Sequence, residues 1–245
     1  MAYLRIKNKK DFVNNFIGPV SNLHNMCVFH LSKDEINCIV ASEDSTIVCR
    51  TSIAVESDVE GSVTLNIPDI KKLHRVLDII PKEDIKLKIN ENNISYNESG
   101  FKFKYHLLDD GIIREPNINI NKINDLEFSS TFSVKESSLA TVFKGSSFTT
   151  ETSKLYLYTE DGNIVGELGD RSRHNTDNFI CVMSEDCEGS GITTPLALNF
   201  ESFRLISFSN SREVRFRVNQ DMGVITCDMK KNNTSLIYVI SALIN

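Results

Sequence analysis

The sequence predicts an α+β fold: two tandem, similar modules of antiparallel β-sheet, each carrying two short helices. Three observations predict it. Most of the chain alternates apolar and polar residues with period 2. Four short segments instead place apolar residues at helical spacing. The order of these segments in the first half recurs in the second, which is the signature of a repeated unit.

The strands are the most regular feature. Ile85, Leu87 and Ile89 alternate with Lys86 and Lys88, and Val214, Phe216 and Val218 alternate with Arg215 and Arg217. Such runs bury one face and wet the other. Turn residues separate them: Asp34-Glu35, Glu60-Gly61, Glu91-Asn92-Asn93, Asp161-Gly162 and Met222-Gly223.

The helical segments follow in order. Lys9 to Val20 aligns Phe12, Val13, Phe16 and Ile17 on one stripe. Pro68 to Ile80 opens on proline and aligns Ile70, Leu73, Leu77 and Ile80. Lys135 to Phe148 carries Leu139, Val142 and Phe143, and Asn199 to Ser207 carries Phe200, Phe203 and Ile206. All are short, so tertiary packing must hold them.

The halves match in chemistry. Leu65-Asn66-Ile67-Pro68-Asp69-Ile70-Lys71 pairs with Leu198-Asn199-Phe200-Glu201-Ser202-Phe203-Arg204. Asp84-Ile85-Lys86-Leu87-Lys88-Ile89-Asn90 pairs with Glu213-Val214-Arg215-Phe216-Arg217-Val218-Asn219. The expected organisation is a first module over residues 1–112, a connector over 113–125 with Pro116 and alternating Asn and Ile, and a second module over 126–245.

Composition bounds the function. The chain has 245 residues, 27 basic and 33 acidic, for a net charge of −6. That excludes a uniformly basic nucleic-acid coat and a polybasic membrane binder. The first residues lack the apolar core of a signal peptide, and the apolar run Leu236 to Ile244 falls far short of a bilayer span. A soluble, intracellular protein without membrane contact is expected. The six cysteines form no Cys-x-x-Cys pair, and the five histidines lack metal-ligand spacing. No phosphate-binding loop and no nucleophile elbow occurs. Neither an enzyme, a metal site nor a cofactor is indicated.

The charge is unevenly distributed. The four helical segments are together net positive, so the rest of the chain is more acidic than the whole. Lys71, Lys72 and Arg75 lie off the apolar stripe of their helix, as do Ser137, Thr141 and Lys144 of theirs. Cations and small hydroxyls suit phosphate contacts without base readout.

Two tandem modules of this kind, with Leu65-Asn66-Ile67-Pro68-Asp69-Ile70-Lys71-Lys72-Leu73 at a helix entry, resemble the DNA polymerase sliding clamps. Phe101 to Asp110 is similar to the strand closing the clamp's first domain, and Leu236 to Ile244 to its last strand. The match is to the two-domain type of tailed bacteriophages, archaea and eukaryotes, which includes proliferating cell nuclear antigen. The resemblance implies the DNA clamp fold and a non-catalytic homotrimeric ring around double-stranded DNA, gripping it independently of sequence. It also implies two partners, a DNA polymerase made processive by the ring and an ATP-driven clamp loader that opens it.

Residue by residue, the resemblance implies that Lys9, Lys10, Lys71, Lys72, Arg75, Lys135, Lys144, Arg204 and Arg212 face DNA. Lys86, Lys88, Arg215 and Arg217 are excluded, because strand alternation turns them outward. Subunits would join head to tail through Phe101, Phe103, Tyr105 and Leu107 on one side and Phe179, Cys181 and Met183 on the other. A partner peptide would enter a pocket of Ile36, Val40, Ile118, Ile120, Tyr238, Ile240 and Leu243. The acidic remainder would repel DNA from outside the ring. Two alternatives stand beside this one: a processivity factor that forms no ring, and a β-rich viral structural or binding protein with no DNA role. The Asn- and Lys-rich composition fits an AT-rich viral genome.

Overall fold

The computed structural model describes residues 2–98, 100–119, 122–123, 125–149, 153–173, 175–208 and 213–243. In the first half the order is β1 (Ala2–Ile6), α1, β2 (Cys27–Leu31), β3 (Glu35–Ala41), β4 (Ile47–Ala54), β5 (Glu56–Ser57), β6 (Val63–Ile67), α2 (Ile70–Asp78), β7 (Ile85–Asn90), β8 (Asn93–Glu98) and β9 (Phe101–His106). The second half runs β10 (Ser130–Lys135), α3 (Glu136–Gly145), β11 (Lys154–Glu160), β12 (Asn163–Leu168), β13 (Phe179–Ser184), β14 (Cys187–Gly189), β15 (Leu196–Asn199), α4 (Phe200–Phe203), β16 (Glu213–Asn219), β17 (Val224–Lys231) and β18 (Thr234–Ser241). Among the elements of the described residues, both halves read strand, helix, five strands, helix, three strands. The repeat seen in the sequence is a repeat of architecture.

The chain forms two compact units, and they are not contiguous in sequence. The first comprises Met1–Glu43, Cys49–Asn117 and Lys230–Leu236; the second comprises Asp44–Val48, Ile118–Met229 and Ile237–Asn245. The first unit holds the sheet β5-β1-β7-β8-β9 and the strand run β4-β3-β2-β6. Leu4, Ile6, Ile85, Leu87, Ile89, Ile94 and Tyr96 turn into its core. Helix α1 starts as an α-helix over Lys9–Asp11, passes through π-helical turns over Phe12–Ile17, and ends α-helical over Gly18–Leu23. It buries Phe12, Phe16, Ile17 and Val20, and Phe16 sits 5.1 Å from both Phe12 and Phe29.

The second unit holds the sheet β13-β12-β11-β15 and the strand run β14-β10-β16-β17-β18. Its core is a chain of rings. Phe143 contacts Phe200, Phe203 and Phe208; Phe208 contacts Phe216; Phe216 stacks on Phe132 at 5.4 Å. Cys27, Cys38, Cys49 and Cys227 are buried thiols, and burial pushes the Cys38 thiol up.

Helix ends differ from the sequence reading, for local reasons. Helix α2 begins after Asp69, whose Oδ1 accepts from the Lys72 amide at 2.8 Å, so Pro68 precedes the cap and does not open the first turn. Asn199 caps α4 in the same way, accepting from the Ser202 amide. The caps Asp69 and Asn199 are thus the equivalent positions, and not Asn66 and Asn199 as the seven-residue match suggests. Helix α4 is a single turn, much shorter than Asn199 to Ser207. No helix of the described residues is long and apolar enough to cross a membrane.

Candidate nucleic-acid interface

In the first unit, helix α2 buries Ile70, Leu73 and Leu77, spaced so that they share one side. Its opposite side carries Lys71, Lys72 and Arg75, with Asp78 in the last turn, all exposed. Among the described residues none of the three has a carboxylate partner. From α1, Lys10, Asn14 and Asn22 are exposed beside buried Val13, Phe16 and Ile17.

Lys9 is a correction. Its side chain is buried, and Nζ donates to the carbonyls of Asp78 at 3.1 Å and Ile80 at 2.6 Å. It neutralises the negative C-terminal end of α2 and offers no charge to a ligand. The helical phase turns Lys9 inward and Lys10 outward.

In the second unit, α3 buries Leu139 and Val142 and exposes Ser137, Thr141 and Lys144 beyond an exposed Lys135. Two hydroxyl protons here are already used: Thr141 Oγ1 donates to the Ser137 carbonyl, and Ser147 Oγ, just past the helix, to that of Lys144. Thr141 and Ser147 therefore give small, polar relief more than free donors. Arg204 is exposed at the C-cap of α4, 3.5 Å from Glu201 and over the Phe200 ring. Arg212 lies outside the described residues. The cationic surface is therefore denser on α2 than on α3 and α4.

Strands β9 and β13 each end a sheet. On β9, Phe101 and Phe103 are half-buried against Tyr96, with ring centroids 6.3 and 6.1 Å away. Tyr105 turns fully inward. Its hydroxyl donates to the Asp69 carbonyl and accepts from the Asp69 amide, so it braces the start of α2, and burial pushes its pKa up to about 12. Leu107 lies past the strand, partly exposed. On β13, Phe179 and Cys181 are half-buried and Met183 is buried, while Ile180 and Val182 are about half exposed, at 50% and 47%. Sequence reading missed these two. The strand is apolar on both faces, which leaves its parity open, but a strand end-placed and apolar on both faces is itself the signal of a covering partner.

The pocket set is also corrected. Ile36, Val40, Tyr238 and Ile240 are buried at 0, 3, 0 and 1% exposure. Alternation along β3 turns Ile36 and Val40 into the core, β18 buries Tyr238, Val239 and Ile240 in succession, and the Tyr238 hydroxyl accepts from the Ser207 amide. Ile118 and Leu243 are partly exposed, and Ile120 lies outside the described residues. An apolar side chain the reading missed, Met222, is 62% exposed on the β16–β17 turn, and the Ala242 amide donates to the carbonyl of neighbouring Gly223.

No protein-family model and no curated protein matches the sequence. Solved structures do match the fold. PCNA from Entamoeba histolytica superposes with a TM-score of 0.79 at 12% identity, over 99% of each chain. PCNA from A. fulgidus, solved with the C-terminal region of FEN-1, gives 0.78 at 11% identity over 100% of this chain and 99% of that one. A subunit of the PCNA2–PCNA3 complex of Sulfolobus tokodaii gives 0.69 at 12% identity over 98% of each chain. From its first strand to its last, the chain has the fold of the PCNA sliding clamps.

Proposed function

We propose that the chain is a subunit of a DNA sliding clamp, a ring that encircles duplex DNA and tethers a polymerase. The cationic side of α2, whose Lys71, Lys72 and Arg75 form no ion pair among the described residues, carries this reading. Lys71, Lys72 and Arg75 stand on a rigid helix whose other side is buried, in a chain of clamp fold. Together with Lys10, Lys135, Lys144 and Arg204 they would hold phosphates loosely. Among the described residues no Arg/Asn/Gln cluster is set to read base edges, so the ring would slide.

The ring would close head to tail, β9 of one subunit pairing with β13 of the next. That pairing would remove both free sheet edges. Ile180 and Val182 would then be covered, with Phe101, Phe103, Phe179 and Cys181 on the inner side. Three copies make a homotrimer. PCNA of A. fulgidus binds the C-terminal region of FEN-1, and PCNA2 and PCNA3 of S. tokodaii form a complex. A polymerase's C-terminal peptide is the corresponding partner here, docking beside Met222 and Leu243, and a separate ATP-driven loader opens the ring. The protein itself performs no chemistry.

Retention on DNA tests the reading. Protein placed on a nicked circular plasmid should stay bound in high salt and be lost once the plasmid is cut, since a linked ring resists salt that strips an electrostatic binder. Equal loss from circle and linear DNA would rule out encirclement.

A further inference from the structure

The sheet β5-β1-β7-β8-β9 has a second side, turned away from the core, and it is basic. Register places Tyr3, Lys88, Ser95 and Lys104 in one row across four strands. Arg5 faces Lys86 and Asn97 faces Lys102 in the next. Strands lie about 4.8 Å apart and alternate residues about 7 Å apart. Lys86, Lys88, Lys102 and Lys104 thus mark corners roughly 7 by 10 Å, separated only by the small polar Ser95 and Asn97.

Charge pairing singles out these four. At the edge of the face, Arg5 is bonded to Asp84 and Glu56, and Lys7 to Glu56. Among the described residues, the four lysines have no carboxylate partner; Lys86 instead lies 4.1 Å above the Tyr3 ring. The other module provides the contrast. Arg215 and Arg217 match Lys86 and Lys88 in the repeat, yet Arg215 pairs with Glu188 and Arg217 with Asp228. The same framework is neutralised in one module and left charged in the other, within a chain of net charge −6. The expectation of an acidic, DNA-repelling exterior fails on this face.

We propose that this lysine face binds single-stranded nucleic acid through its phosphates, as a site separate from the helices. The face offers evenly spaced cations and small hydrogen-bonding groups, which fit a phosphodiester chain. An acidic peptide would need apolar anchors, and the exposed large apolar side chain here is one ring, Tyr3, at the end of a lysine row. A flat cationic surface with an aromatic at its margin suits a single strand better than a duplex.

The test is fluorescence-anisotropy titration of a labelled oligothymidine of about 16 nucleotides, over a series of salt concentrations. Changing Lys86, Lys88, Lys102 and Lys104 together to Gln should weaken binding by at least roughly tenfold. It should also lower the salt slope by about 3, near 0.7 per charge. Changing all four to Arg should preserve binding. Lys71→Gln/Lys72→Gln/Arg75→Gln should keep most single-strand binding. The proposal is overturned if the sheet variant binds like wild type, or if the helix variant alone abolishes binding. Equal binding of polyglutamate, or tighter binding of a duplex of equal length through the same lysines, overturns the single-strand assignment. The retention test on circular DNA reads encirclement alone, so either conclusion can fail without the other.

Discussion

Gly145, at the end of α3, lies against the ring of Phe179 on β13: a Cβ at Gly145 would fall 2.2 Å from Phe179 Cδ1. Only a residue without a side chain lets the helix approach the strand this closely. Phe179 begins the strand proposed to meet the next subunit, so the contact links the helix to the subunit edge. Gly145→Ala must push Phe179 aside. The expected cost is about 1–3 kcal/mol of stability, read by urea denaturation, because overpacking strains the neighbours. A second expected effect is weaker subunit association, read as a rise in the concentration at which the assembly dissociates.

Adjacent lysines should behave oppositely. Lys9→Met leaves the Asp78 and Ile80 carbonyls without their buried donor. It should destabilise the fold by about 1–3 kcal/mol. Lys10→Gln, on the exposed side of α1, should leave the denaturation midpoint unchanged and weaken duplex binding. Equal effects of the two on stability would show that the inward position of Lys9 is wrong.

That pair was legible in the sequence by phase: Lys9 stands three and four residues before Phe12 and Val13, on their stripe, and Lys10 stands off it, so placing both against DNA set the phase aside. The strands were more legible. Ile85, Leu87 and Ile89 are buried and Lys86 is exposed as alternation requires. Alternation also explains the failures. Ile36, Val40, Tyr238 and Ile240 sit at inward positions of their strands, so a functional position assigned by resemblance lost to the ordinary core. Charge counts per segment found the cations of α2, but a count cannot see which cations are paired. Arg215 and Lys86 look alike in sequence and differ in what lies beside them.

Duplex binding should lose salt dependence with the α2 cations. Each phosphate contact contributes about 0.9 to the slope of log K against log salt. Lys71→Gln/Lys72→Gln/Arg75→Gln should lower that slope by roughly 2 to 3, with no change in the denaturation midpoint, since all three are exposed. An unchanged slope would remove α2 from the DNA interface.

Acid should weaken the first unit in a defined way. Hydrogen bonds from Lys7 hold Glu56 below its ordinary pKa, and those from Arg5 do the same for Asp84. A carboxylate with a lowered folded pKa contributes stability above its unfolded value of about 4, and that contribution disappears as pH falls through the folded value. Arg5→Gln should therefore reduce stability modestly at neutral pH and flatten the loss between neutral and acid pH. The check is the urea midpoint measured across that range. A parallel loss in wild type and variant would show that the cluster contributes nothing.

The central claim is that copies of this chain close a ring by joining β9 to β13. Its most direct test is the mass in solution at micromolar concentration, by light scattering, for wild type and for Val182→Lys on the proposed joining strand. A mass three times the 27.7 kDa of the chain, falling toward 27.7 kDa in the variant, is the predicted result. A wild-type mass of 27.7 kDa at that concentration would contradict it.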